Sequence, residues 1–197
     1  MRRVMVFIDG SNMYHSLKLC AHRHDLDYYH FSKKICGMER KLVQIYYYNI
    51  ELDASFDTVA HSGQQRFFYK LKQTPKLEMR LGRGQRKPDG SWCEKGVDVK
   101  LAIDMLEKAY QDQYDDAILV SADGDFAEVV QTIRKTGKRI ELASFSGSQC
   151  YHLRQHVDKC HEIDGFFLAD CWVENNGILL NCISQGWREL EPSISLR

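Results

Sequence analysis

Apolar residues first gather in a short unbroken run, Val4 to Ile8, which stops abruptly at Asp9-Gly10. A continuous run of this length predicts a strand buried on both faces, as in a parallel sheet. Ser11 to Cys20 then changes period. Met13, Leu17 and Cys20 recur at three- and four-residue steps, which predicts a helix that Ser11 or Asn12 is placed to cap. Lys41 to Asn49 is dense in β-branched and aromatic residues and reads as a second strand. Phe56 to Gln73 reads as a helix with Phe67, Phe68 and Leu71 inward, and Leu77 to Leu81 as a third strand. Gly82 to Lys95 reads as a loop rich in glycine and basic residues. Val97 to Tyr110 carries the clearest helical pattern, with Val97, Leu101, Met105 and Tyr110, together with Ala102, Leu106 and Ala109, on one broad apolar face. Ala117–Val120, a helix over Phe126–Lys135 closed by Gly137, and the strand Arg139–Ala143 follow. A short helix over Gln149–Val157 and a last strand at His161–Ile163 complete the series.

Strand and helix alternate at α/β spacing throughout, so the expected fold class is α/β, an open, mostly parallel, doubly wound sheet. The pattern weakens beyond Leu168. The expected division is a domain over residues 1–167 and a C-terminal extension over 168–197, partly ordered or flexible, in which Leu179 and Leu180 leave a homodimer contact open. At 197 residues the chain is long enough to bury a core without disulfide or metal staples. Its seven cysteines are odd in number and form no Cys-x-x-Cys pair, which fits reduced thiols and a cytoplasmic location. No run approaches the ~18 apolar residues that cross a bilayer, so no membrane partner is expected. The net charge of zero excludes a general polycation, and any nucleic-acid contact must come from a local basic patch or a metal.

Acidic residues cluster where such a sheet binds ligands, beyond the carboxyl ends of its strands. Asp9 follows the first strand, Asp123 and Asp125 follow the fourth, and Asp98 opens the long helix. Taken singly, each has an ordinary explanation as a turn, a helix cap or a dipole partner. Their convergence from three segments on one edge points to a divalent cation, because grouped carboxylates repel unless a cation offsets them. Oxygen ligands of this type suit Mg²⁺ or Mn²⁺ rather than zinc. Asp104 lies about 240° around the helix from Asp98; the expectation there is a solvated acid or a salt bridge to Lys100 or Lys108.

Three stretches now carry a resemblance: Val-Phe-Ile-Asp-Gly-Ser-Asn (6–12), Glu-Lys-Gly-Val-Asp-Val-Lys-Leu-Ala-Ile-Asp-Met-Leu (94–106) and Leu-Val-Ser-Ala-Asp-Gly-Asp-Phe (119–126). Together, and in this order, they resemble the NYN domain of the LabA-like type, within the PIN-like ribonuclease superfamily. The resemblance covers roughly residues 3 to 165. It implies a three-layer α/β/α sandwich with a central, mostly parallel sheet, and a metal-dependent endoribonuclease that hydrolyses RNA phosphodiester bonds. The same resemblance gives Asp9, Asp98, Asp123 and Asp125 as the metal-binding and catalytic acids, Asn12 as an orienting residue and Ser121 as the small hydroxyl residue opening the last motif. The chain departs from the family at Ala122, where glycine is frequent; this matters only if the position needs positive φ.

Beside this, Lys76, Arg80, Arg83, Arg86 and Lys87 face only Glu78 in their stretch, and Lys95 leads into the Asp98 helix. Arg80, Arg83, Arg86, Lys87 and Lys95 are the expected contacts to RNA, single-stranded or structured. Trp92 is expected to pack. Cys150, His152, His156 and Cys160 match no common zinc spacing and read as a packed helix. The competing class is a non-catalytic RNA- or nucleotide-binding module. A haloacid-dehalogenase-type phosphatase is disfavoured by Ser11, which stands where a second Asp is required. A receiver domain is disfavoured by the lack of Lys after Phe145, and a dinucleotide site by the lack of a Gly-x-Gly-x-x-Gly turn.

Overall fold

The computed structural model describes residues 1–55, 57–86 and 92–173. The first apolar run forms β1 (Arg3–Asp9), whose residues Val4 to Asp9 are all buried. Two parallel partners explain this burial: β2 (Lys41–Ile50) on one side and β5 (Asp116–Val120) on the other. Outward from β2 come β3 (Leu77–Arg86) and β4 (Trp92–Lys95); outward from β5 come β6 (Arg139–Phe145) and β7 (Lys159–Ile163). The resulting order is β4-β3-β2-β1-β5-β6-β7, parallel except for the β3–β4 pair.

Helices cover both faces, as the two-residue alternation of β1 demands. Val4, Val6 and Ile8 pack in one core with α1 (Gly10–Cys20), α2 (Tyr28–Cys36) and α3 (Thr58–Lys72). Met5 and Phe7 pack in the other with α4 (Val97–Tyr110) and α5 (Ala127–Arg134). The fold is therefore a three-layer α/β/α sandwich. Short helices α6 (Tyr151–Arg154) and α7 (Gly165–Leu168) close the described chain. No helix among the described residues is long and apolar enough to cross a membrane.

Several expectations need correction. Within the expected loop Gly82–Lys95, β3 continues to Arg86 and pairs antiparallel with β4, Trp92–Lys95, as the two arms of a hairpin; residues 87–91 of that loop lie outside the described residues. Pairing with β2 ends at Ile50–Gly82, and Arg83–Lys95 begins the new pairing, so the hairpin runs past the edge of the parallel sheet. The expected helix over Gln149–Val157 shrinks to the single turn α6, and Cys160 belongs to β7, so Cys150, His152, His156 and Cys160 do not share one packed helix. Helix α2 was not expected. Asp104 is buried rather than solvated, and its Oδ2 accepts a hydrogen bond from the Tyr48 hydroxyl at 2.9 Å.

Ionic groups gather at the opposite, amino end of the sheet. Buried Asp116 meets Arg2 and Arg40, and Arg40 also binds Glu141 at 2.7 Å. Glu141 holds His161 at 2.6 Å. Buried carboxylates are tolerated there because each is paired. The carboxyl end is built differently.

Candidate functional site

Strand order reverses at the β1–β5 pair: β2 and β3 lie to one side, β6 and β7 to the other. At such a switch point the loops leaving the two central strands diverge and open a crevice beyond their carboxyl ends. Asp9 ends β1 and Ser121 follows β5 at this crevice.

Asp9 is fixed by both oxygens. Its Oδ1 accepts the backbone N–H of Asn12 at 3.0 Å and so caps α1, the role expected of Ser11 or Asn12. Its Oδ2 accepts the Ser121 hydroxyl at 3.0 Å. Ser121 Oγ in turn accepts the N–H of Asp123 at 3.1 Å, and Asp123 Oδ1 accepts the N–H of Asp125 at 2.9 Å. One chain of hydrogen bonds thus joins the first and third motifs. Gly10 allows this closeness: a Cβ there would stand 2.5 Å from the Tyr48 carbonyl oxygen. Across the crevice, Asp98 sits in the first turn of α4, which Gly96 introduces from the left-handed region at φ 76°. Ala122 is not among the residues with positive φ, so the departure from glycine carries no strain.

An open cavity of about 500 Å³ lies at this rim, lined by Asp9, Asn12, Asp98 and Asp123 together with His15, Ser16, Ser148 and Gln149. Burial pushes the Asp9 carboxyl up; hydrogen bonds from Asn12 and Ser121 only partly offset this, and the charge of Asp123 adds to it. Burial also pushes Asp98 up, and among the described residues the charges that raise it further are the carboxylates of Asp9, Asp123 and Asp125. Among the described residues no cationic side chain is a leading cause of either shift, and a bound cation would supply a counter-charge. The donors are all oxygens, which fits a hard divalent ion. Among the described residues, however, no three rim carboxylates have oxygens within 4.8 Å of one another. Direct ligation by three acids would draw them together, whereas Mg²⁺ keeps several waters and reaches more distant carboxylates through them.

The expected residues therefore divide. Asp9, Asn12, Asp98, Ser121 and Asp123 meet at one crevice. Asp125 is exposed at its border and reaches it through its charge and its bond to Asp123. Arg80 stands apart. It is level with Asp9 in the sheet but two strand spacings away, roughly 10 Å. Its guanidinium pairs with Glu78 at 2.9 Å, lies 3.8 Å from Asp104 and covers the Tyr46 ring, so it serves the fold. Arg83 and Arg86 lie on the β3 arm of the hairpin and Lys95 on the β4 arm; Lys87 lies outside the described residues. His15, Ser16, Ser148 and Gln149 were not expected at the crevice. His15 and Ser16 follow Asn12 at helical steps, and Ser148 and Gln149 follow the end of β6, so the same edge rule would have found them.

Another set of candidate ligands, His30, Asp170 and Cys171, lies within 4.8 Å of one another. Lys34 already binds Asp170, and burial pushes the Cys171 thiol up to about 12, so the sulfur stays protonated. This is an ion pair that fastens α2 to the end of the described chain.

The sequence model of the NYN domain matches residues 3–164. The "Low amplitude and bright protein LabA" of Synechococcus elongatus is 26% identical over 163 residues, spanning 80% of this chain and 81% of that protein. A crystal structure of a protein of unknown function from Vibrio parahaemolyticus superposes with a TM-score of 0.68 at 23% identity. It covers 85% of this chain and 96% of that one, a likeness of fold.

Proposed function

The chain belongs to the NYN domain family, and on that premise we propose that it is a metal-dependent endoribonuclease hydrolysing RNA phosphodiester bonds at the acidic crevice. The observation that carries the reading is the mutual charging of the rim: Asp98 is raised by burial and then by Asp9, Asp123 and Asp125 from two other segments of chain. A purely structural acid is normally placed beside a cation, as Asp116 and Glu141 are at the other end of the sheet.

Asp9, Asp98 and Asp123 would hold Mg²⁺ or Mn²⁺, with Asp125 completing the anionic border. When bound, such an ion neutralises charge on the phosphate and makes a water more acidic. The remaining work belongs to the chain. Ser121 and the α1 N-terminus hold Asp9 in one orientation. Asn12 lines the crevice beside it, where its amide can orient the substrate or a water. The hairpin, with Arg83 and Arg86 on its β3 arm and Lys95 on its β4 arm three positions before Asp98, would track a phosphate backbone.

The test is incubation of a mixed pool of labelled RNAs with Mn²⁺, with and without chelator. Cleavage is expected only with the metal, and is expected to vanish when Asp9→Asn and Asp123→Asn are combined. Metal-dependent cleavage surviving in a clean preparation of the double variant would overturn the assignment. Binding of RNA without cleavage would favour a regulatory module instead.

A further inference from the structure

A second cavity, of about 540 Å³, lies on the other side of α1 from the acidic crevice. Ser11 lines both. Helix α1 is thus a partition: Asn12, His15, Ser16 and Leu19 face the acids, whereas Ser11, Tyr14 and Leu17 face the second cavity. We propose that this cavity is a nucleobase subsite, which takes the heteroaromatic ring of an unpaired RNA nucleotide whose phosphate lies at the acidic rim. The inference rests on the ribonuclease reading of that rim and specifies its substrate as single-stranded.

The walls match a flat ring. Tyr28, Tyr47 and Phe67 meet edge to face, with centroids 5.4 to 6.1 Å apart. Tyr14 stacks on His24 at 4.5 Å and 14°, and Tyr14 remains about half exposed. Tyr28 and Tyr47 are buried, so Tyr14 is the accessible tyrosine ring, and stacking on such a ring is how single-stranded nucleic acid is held without pairing. The volume is in the range of small-molecule sites, and no Lys or Arg is among the described residues that line it. Phosphate therefore belongs on the rim side of α1.

Polar groups are few and paired in kind. Asn49 Oδ1 accepts from the Ile50 N–H at 2.8 Å, and its Nδ2 donates to the Tyr47 hydroxyl. Gln64 Oε1 accepts from the Leu52 N–H, and its Nε2 donates to the Ile50 carbonyl. Each amide is locked in orientation yet keeps a second N–H and further acceptor capacity. Donor beside acceptor is the pattern that reads the edge of an unpaired base.

The sixth residue of α3, Gly63, forms part of the wall. Glycine in a helix interior is destabilising. A Cβ at this position would meet nothing within 4 Å, so packing does not require the glycine. Its effect is to keep that wall open.

Calorimetry in the presence of chelator, with the four ribonucleoside 5′-monophosphates and with ribose 5-phosphate, tests this. At least one nucleotide is expected to bind about tenfold or more tightly than ribose 5-phosphate, the margin that one stacked base supplies. Tyr14→Ala, at an exposed ring, should remove most of that margin. Gly63→Leu should remove it while leaving the protein at least as resistant to heat, which separates a filled cavity from a damaged fold. A short single-stranded oligoribonucleotide should displace the nucleotide, and a duplex of equal length should not. Equal affinity for ribose 5-phosphate, or an unchanged margin in Gly63→Leu, would overturn the subsite. If neither oligonucleotide competes, the occupant is a free nucleotide and the RNA assignment is wrong. A preserved margin in a protein that cuts no RNA keeps the cavity and removes the ribonuclease reading; cleavage without a margin does the reverse.

Discussion

Gly10→Ala adds one methyl group, yet the structure assigns it a large effect. The new Cβ would lie 2.5 Å from the Tyr48 carbonyl oxygen and 2.5 Å from Tyr47 Cζ. Neither neighbour can yield cheaply. Tyr48 belongs to β2, paired to Asp9 on one side and Arg80 on the other. The Tyr47 ring is buried between Tyr28 and Phe67. Relief requires α1 to lift away from the sheet, which also loosens the capping bond at Asp9. Alanine regains up to about 1 kcal/mol of helix propensity. Overpacking of a tight contact costs about 1–3 kcal/mol or more; with backbone on the other side, the upper part of that range applies. A net loss of about 2 kcal/mol follows, or roughly 4–8 °C in Tm for a domain of this size. Urea denaturation followed by circular dichroism measures it, with Gly63→Ala as the control. That substitution, in open space on α3, should stabilise by about 0.5–1 kcal/mol. Equal midpoints for Gly10→Ala and the parent protein would refute the close-approach argument.

Two further outcomes follow from the acids. Burial raises the Glu141 carboxyl, but hydrogen bonds from His161 and Arg40 outweigh it and hold the group at about 2 against an ordinary 4.5; the resulting stability, up to about 3 kcal/mol, is complete above pH 4.5 and lost as pH falls toward 2. Urea midpoints measured between pH 7 and 3 should fall less steeply in Glu141→Gln, and parallel curves would remove the network from the account. Two acids on α4 should separate: Asp98→Asn abolishes metal-dependent cleavage without lowering the unfolding midpoint, whereas Tyr48→Phe, which strips Asp104 of its donor, costs about 1.5–3 kcal/mol and leaves cleavage intact. Loss of cleavage in Tyr48→Phe with the fold retained would contradict the division.

The carboxylate rim was legible because a strand buried on both faces has few ways to end, and Asp9 and Asp123 mark those ends. Helix α4 was legible for a similar reason: Val97, Leu101, Met105 and Ala109 form its buried apolar stripe, although Tyr110, expected on the same face, is exposed. The hairpin was missed because Gly82 and Gly84 report local preference, whereas β3 persists through hydrogen bonds that β4 supplies from a distance. Helix α2 was missed although Asp27 caps it and Tyr28, Phe31 and Ile35 form its buried face. At nine residues it is too short for its period to stand out. The burial of Asp104 was not legible at all. It depends on Tyr48, 56 positions away, offering a hydroxyl at the right height across the interface.

The central place of β1 has a consequence for how the site fails. Its backbone is paired along both edges, and Val4 to Asp9 are buried. Amide protons in such a strand exchange with solvent only when the whole domain opens, because no smaller excursion frees them. Asp9 is the last residue of that strand, and Ser121 follows the neighbouring one. The core of the acidic crevice therefore belongs to the most fully paired and buried part of the described fold, and its amides are expected to exchange only as the fold itself gives way.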